Sequence, residues 1–199
     1  MGCSRYAAFT TTPVNRNRQK KERSIMMSNY SLFQDEKKCI SCRSCEVQCK
    51  INKGLATGPR PGKIITAGPA TRNGRIMAKY VFTTCRHCED PFCVQACPVG
   101  AVQKRPSDGI VFIDQELCVG CQSCIMACPW GAPQWDEEKG VVVKCDYCKD
   151  RLDAGLEPAC VTACPTGSLI FISTENIPSI KREQIIRRRM NGRAVNAIW

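Results

Sequence analysis

The run Cys118-Val119-Gly120-Cys121-Gln122-Ser123-Cys124-Ile125-Met126-Ala127-Cys128-Pro129 places four thiols at C-x2-C-x2-C-x3-C and stops them with a proline. The pattern recurs on both sides. Upstream lie Cys85, Cys88, Cys93 and Cys97-Pro98, spaced C-x2-C-x4-C-x3-C-P, and before them Cys39, Cys42, Cys45 and Cys49. Downstream lie Cys145, Cys148, Cys160 and Cys164-Pro165, spaced C-x2-C-x11-C-x3-C-P. Four groups of four absorb sixteen of the seventeen cysteines and leave Cys3 as a tail thiol.

This spacing suits a cubane. Three thiols on a tight loop wrap one face of a [4Fe–4S] cluster, and the loop's N–H groups offset its negative charge. The fourth thiol lies three residues further on, at the start of a short helix, and faces away, so it is expected to reach a neighbouring cluster, as in two-cluster ferredoxins. The proline after it ends the helical pattern. The first group has Lys50 in that place, which costs no ligand. Zinc sites pair knuckles or combine them with histidines, and this chain has triplets and one histidine, His87. A disulfide framework belongs to small secreted domains. Four [4Fe–4S] clusters are therefore expected, with iron bound through the sixteen grouped cysteines. No acid/base constellation is visible, so no catalytic residue is expected and the chain is not an enzyme by itself.

The repeats predict the organisation. Phe112–Cys121 echoes Phe33–Cys42, and three groups share the exit Cys-Pro-x-Gly. Twenty residues separate Cys97 from Cys118, a ferredoxin-like interval, so groups two and three pair and groups one and four remain to pair across them. The expected fold is α+β: two bacterial-ferredoxin-like 2[4Fe–4S] modules, one inserted in the other, with short hairpin strands and short helices. Residues 1–31 form a basic N-terminal tail, 32–78 with 140–172 the outer module, 79–139 the inner module, and 173–199 a basic C-terminal helix or tail. The expected ligand sets are Cys39, Cys42, Cys45 and Cys164 for cluster 1, and Cys145, Cys148, Cys160 and Cys49 for cluster 2. Cluster 3 takes Cys85, Cys88, Cys93 and Cys128, and cluster 4 takes Cys118, Cys121, Cys124 and Cys97.

Strands are expected at 80–83, 110–113, 141–144 and 169–172, and helices near Cys93, Cys124 and Cys160. The Gly/Pro-rich stretch 54–75 reads as a long loop suited to partner contact. It is not a phosphate loop, since Ile64 follows Gly62-Lys63. A C-terminal helix opens at Pro178-Ser179, with Ser179 as N-cap and Gly192 as terminator. His87 is a candidate donor to a cluster sulfur, and Trp130 and Trp135 are candidates to shield a cluster.

The formal net charge is +11 at pH 7. Four oxidised cubanes with their thiolates bring roughly −8, so the loaded chain stands near about +3. The excess sits in the ends: residues 1–31 hold six Lys/Arg against one Glu, and residues 173–199 hold six against two. Such charge reads first as solvated, partly disordered tails and next as partner docking; without a reading module it does not point to nucleic acid. No apolar run is long enough to span a membrane. No signal peptide is visible, and abundant thiolate ligands suit a reducing compartment. The expected location is the cytoplasm, with export alongside a signal-bearing partner as the alternative.

With Cys118–Ala132 and Cys85–Cys93 in place, residues 33–172 resemble the electron-transfer (beta) subunits of the dimethyl-sulfoxide-reductase superfamily. That family includes formate dehydrogenase and polysulfide reductase beta subunits and ferredoxin-like subunits of some hydrogenases. The resemblance implies an electron-transfer subunit relaying single electrons between a larger catalytic oxidoreductase subunit and another redox partner. The catalytic subunit would be a molybdenum- or tungsten-pterin enzyme, an aldehyde-oxidising tungsten enzyme or a hydrogenase; a further redox or membrane-anchor subunit is the second expected partner. A freestanding polyferredoxin shuttle is the alternative.

Overall fold

Backbone pairing is confined to two-stranded antiparallel ladders in the computed structural model, which describes residues 29–190. Strand β1 (Tyr30–Gln34) pairs with β8 (Leu169–Ser173), from Tyr30↔Ser173 to Gln34↔Leu169, and so joins the two ends of the described chain. Two small hairpins lie between: β4 (Val102–Lys104) with β5 (Val111–Ile113), and β6 (Gln134–Asp136) with β7 (Val141–Val143). Strands β5, β7 and β8 match those expected from their β-branched runs, and their partners β4, β6 and β1 were not foreseen.

Each group of thiols starts a helix at its third cysteine, as expected near Cys93, Cys124 and Cys160. The fourth cysteine, expected at a helix start, instead lies inside the first of these helices and just past the end of the other three, where the following proline stops them. Helix α1 (Ser44–Asn52) follows group one, α2 (Phe92–Gln95) group two, α3 (Ser123–Ala127) group three and α5 (Ala159–Thr162) group four. Cys45, Cys93, Cys124 and Cys160 are the second residues of these helices. Helices α2, α3 and α5 are four or five residues long because proline follows the next cysteine. The exits share one turn: Gly100, Gly131 and Gly167 donate N–H to the carbonyls of Cys97, Cys128 and Cys164, each with positive φ. Lys50 keeps its N–H, so α1 runs through Cys49 for nine residues. Helix α4 (Lys149–Asp153) fills part of the long x11 interval of group four. Helix α1 packs on α5, and α2 on α3.

Two expectations are corrected. Residues 54–75 are not one loop: β2 (Lys63–Arg72) and β3 (Arg75–Thr83) form a hairpin around Asn73-Gly74, both at positive φ. Asn-Gly is the residue pair a two-residue hairpin turn requires. A register shift between Ala67 and Ala70, around Gly68-Pro69, interrupts the alternation that would have announced the strand. Strand β3 crosses residues 78–79, where the outer and inner segments were expected to meet. The C-terminal helix α6 (Ile177–Met190) starts before Ser179, continuing a 3-10 turn at Thr174–Asn176, so Ser179 is no cap. Pro178 is accommodated in the first turn, where its missing N–H has no intrahelical partner to lose. Cys3, the basic stretch before residue 29 and Gly192 lie outside the described residues.

The interior is split among three apolar clusters, each with cysteines at its centre. Cys45 and Cys160 join Ile64, Phe82 and Leu169; Cys85 and Cys145 join Ile110, Ala132 and Tyr147; Cys93 and Cys124 join Val102, Val111 and Val142.

Candidate iron–sulfur cluster sites

Each C-x2-C loop bends through a left-handed residue just before its second cysteine: Ser41, His87, Gly120 and Tyr147, with φ of 58, 46, 70 and 53°. This turn gathers N–H groups onto one side of the loop. The N–H of His87 donates to Cys85 Sγ at 3.4 Å and that of Tyr147 to Cys145 Sγ at 3.4 Å. The sixteen grouped cysteines are free thiols.

The folded chain draws thiols from different groups together. One cavity is lined by Cys39, Cys42 and Cys45 with Cys164. Another is lined by Cys85, Cys88 and Cys93 with Cys128. Cys160 has Cys145, Cys49, Cys148 and Cys45 as charge neighbours, and Cys124 has Cys118, Cys93 and Cys97. Neither cavity wall includes a carboxylate or an imidazole; Arg43 faces the first, and Arg86 and Lys144 the second. Thiol donors with cationic neighbours fit an anionic iron–sulfur cube. Among the described residues no three His, Cys, Asp or Glu side chains converge as a single-ion site requires.

Burial raises seven of these thiols. It pushes Cys45 and Cys145 up to about 12, and Cys49 and Cys124 up to about 11. Cys160 is raised too, first by burial and then by its thiol neighbours. A thiol bound to iron is deprotonated outright, so the metal supplies the positive charge these sites lack. Two thiols shift the other way. The Ser123 hydroxyl lowers exposed Cys121, and at Cys164 burial is outweighed by N–H groups of Leu169, Ser168 and Thr166 with the Thr166 hydroxyl.

His87 is buried, 2% exposed, and stacks on Tyr147 with centroids 3.8 Å apart. Its Nδ1 accepts the Val111 N–H at 2.9 Å, which places the proton of the neutral ring on Nε2. Nε2 has no protein partner among the described residues. Burial and the charges of Lys144 and Lys104 hold the ring neutral, well below the ordinary histidine range. Trp130 lines the Cys85 cavity under the Arg86 guanidinium, 5.4 Å from the ring centroid, and Trp135 packs against the Cys93/Cys124 cluster.

Sequence reasoning missed the groups around these thiols. Lys53 and Asp146 pair at 2.5 Å beside Cys49 and Cys148. Lys144 is 4% exposed with Nζ 3.6 Å from Cys85 Sγ. Buried Glu46 accepts the Ile64 N–H at 2.6 Å and so fixes the base of the β2–β3 hairpin on α1. Laying Cys85-Arg86-His87-Cys88 over Cys145-Asp146-Tyr147-Cys148 would have put His87 and Tyr147 at equivalent places.

Residues 38–101 and 76–174 each match a 4Fe-4S dicluster domain. The sequence is 38% identical over 159 residues to the B subunit of anaerobic dimethyl sulfoxide reductase from Haemophilus influenzae, covering 76% of this protein and 77% of that one. It is 42% identical over 153 residues to the same subunit from Escherichia coli, covering 73% and 74%. With the thiosulfate reductase electron transfer subunit PhsB of Salmonella typhi it shares 39% over 148 residues, covering 73% and 77%. Sixteen thiols in four groups, two dicluster matches and these relatives converge: the protein belongs to the family of four-cluster [4Fe–4S] electron-transfer subunits that includes the B subunits of anaerobic dimethyl sulfoxide reductases.

Proposed function

We propose that this electron-transfer subunit carries its four [4Fe–4S] clusters in nested order, as a single file between two partner subunits. When bound, each cluster takes up and gives up one electron at a time. Cys39, Cys42, Cys45 and Cys164 hold the first, and Cys145, Cys148, Cys160 and Cys49 the second. Cys85, Cys88, Cys93 and Cys128 hold the third, and Cys118, Cys121, Cys124 and Cys97 the fourth. The outer ferredoxin-like module, 32–78 with 140–172, then encloses the inner one, 79–139.

One observation carries this reading. Each apolar cluster contains one thiol from each of two consecutive sets: Cys45 with Cys160, Cys145 with Cys85, and Cys93 with Cys124. The side chains that exclude water at each junction also hold neighbouring sites close. The pairing of β1 with β8 and the packing of α1 on α5 support the enclosing module.

The two ends differ from the middle. Cys42 and Cys121, in the first and last sets, are exposed. Large apolar side chains are exposed beside them in sequence: Ile40, Val47 and Ile51 at one end, Leu117, Val119 and Met126 at the other. These ends suit two docking surfaces. One partner is a larger catalytic oxidoreductase subunit, with a molybdenum- or tungsten-pterin enzyme favoured by the resemblance over an aldehyde-oxidising tungsten enzyme or a hydrogenase. The other is a further redox or membrane-anchor subunit. Among the described residues no helix is long and apolar enough to cross a membrane. We place the subunit in the cytoplasm, in keeping with its many free thiols, with co-export beside a signal-bearing partner as the alternative.

Serine substitutions test the nesting. In the anaerobically purified protein, Cys128→Ser is expected to alter the same electron paramagnetic resonance signal as Cys88→Ser, and Cys97→Ser the same one as Cys121→Ser. If Cys128→Ser instead alters the signal that Cys121→Ser alters, ligation is local to each group and the nested reading fails.

A further inference from the structure

The junction between the Cys145 and Cys85 sites has a crossed pair of contacts. The residue preceding each thiol reaches over to the other. Lys144, next to Cys145, directs Nζ at Cys85 Sγ from 3.6 Å. Thr84, next to Cys85, sets its hydroxyl against the Cys145 thiol. The two contacts are unequal: one is a buried ammonium, the other a neutral hydroxyl whose single proton goes to the Pro61 carbonyl at 3.1 Å.

The ammonium has no counterion of its own. Its other hydrogen bonds go to the carbonyls of Val111 and Cys145, the latter at 2.7 Å, and among the described residues no carboxylate pairs with it. A buried unpaired charge is costly, and an anionic group beyond Cys85 offsets that cost. On the Cys145 side the nearby cation, Lys53, is already neutralised by Asp146 at 2.5 Å. At this junction the buried, unpaired ammonium therefore faces the Cys85 site. Lys144 lines the cavity of Cys85, Cys88, Cys93 and Cys128 and acts on the Cys93 thiol as well.

We propose that Lys144 is a positioning residue for the electron: its fixed charge raises the reduction potential of the cluster held by Cys85 above that of its neighbour held by Cys145, with Thr84 as the weaker, crossed counterpart. This rests on both thiols being cluster ligands. Reduction adds negative charge, which an adjacent cation stabilises and a neutral hydroxyl stabilises less. An electron crossing from the Cys145 side oxidises that site and reduces the Cys85 site. No bond forms or breaks. The inner half of the file then becomes the resting place of a single electron.

Redox titration of the loaded protein followed by electron paramagnetic resonance tests this, with Lys144→Met, Lys144→Arg and Thr84→Val. Lys144→Met is expected to lower one midpoint potential by at least a tenfold change in that reduction equilibrium, about 59 mV for a one-electron couple. The affected signal should be the one that Cys93→Ser alters. Lys144→Arg should keep the wild-type potential, and Thr84→Val should lower a different cluster by a smaller shift. Four unchanged potentials in fully loaded Lys144→Met overturn the proposal, as does an equal shift of all four. Iron lost from Lys144→Met and Lys144→Arg alike also overturns it, by making the residue a requirement of folding. If Lys144→Met alone loses iron, Thr84→Val decides: no shift in the cluster of Cys145 overturns the crossed arrangement. Any of these failures leaves the ligand assignment standing, since the serine exchanges read it separately.

Discussion

Gly120 shows how little freedom the cluster loops have. Its φ is +70°, and a Cβ there would lie 2.8 Å from the Gly140 carbonyl oxygen and 3.0 Å from the Trp135 ring. Backbone strain and a clash with backbone act together, and neither is relieved by rotating a side chain. Gly120→Ala is therefore expected to disrupt the loop of Cys118 and Cys121 while sparing the other three, so that iron falls by about one quarter on four-cluster loading. Iron and sulfide analysis beside the wild type checks it; full loading would show that the β6–β7 turn yields. The thiols make a second prediction, in pH. Burial holds Cys45 and Cys145 up to about 12, and Cys49 and Cys124 up to about 11, so all four are protonated at neutral pH. Binding iron must expel those protons, and expelling protons becomes easier as pH rises. Below about 11 the apparent affinity for iron should thus increase with pH, with proton release approaching one per thiol at about pH 7.5. A pH-stat record of reconstitution measures this directly, and pH-independent loading would contradict it.

At the scale of elements, what the sequence makes legible follows from how local the determining forces are. A C-x2-C turn, a helix opened at its third thiol and closed by proline, and a Gly-terminated exit each depend on a few adjacent residues, and all were readable. The hairpin β2–β3 was not. Asn73-Gly74 announced its turn, but Gly68-Pro69 breaks the alternation on one arm, and the residues that seat its base, Glu46 and Gln34, come from distant segments. Gln34 accepts the Phe82 N–H at 2.6 Å and donates to the Tyr80 carbonyl at 3.0 Å, a bridge across 46 positions for the latter. The proposed ligand pairing rests on repeat spacing, whereas Lys144 and Tyr147 gain their places only when two repeats face each other. Helix α6 lies beyond the last strand. Removing residues 177–199 is expected to weaken co-purification with the large subunit and leave iron content unchanged. Loss of iron with co-purification intact would assign the helix to the core instead.

At the scale of the whole molecule, the cofactors take the place of a continuous hydrophobic core. The fully buried aliphatic side chains include Ile110, Val111 and Val142, and each of the three apolar clusters is small and contains cysteines, the first two sharing Leu32. The ladders are two-stranded, and isolated two-stranded ladders are marginal in water. Without iron, several buried thiols would remain around unfilled volume, and the short helices α2, α3 and α5 would have little to pack on. Loading and folding should therefore be one event, as in other small metal-dependent domains. The loaded protein is expected to contain about 16 Fe and about 16 sulfide. Anaerobic removal of iron by a chelator should abolish the broad visible absorbance and the native far-ultraviolet circular dichroism together, and open the β4–β5 and β6–β7 hairpins to protease. The ion pairs that tie the segments, Lys53–Asp146 and Arg105 with Asp108 and Asp153, are partly exposed and contribute too little to hold the fold alone. An iron-free protein that keeps its dichroism and its protease resistance would show that the polypeptide scaffold is self-sufficient, and the clusters only its cargo.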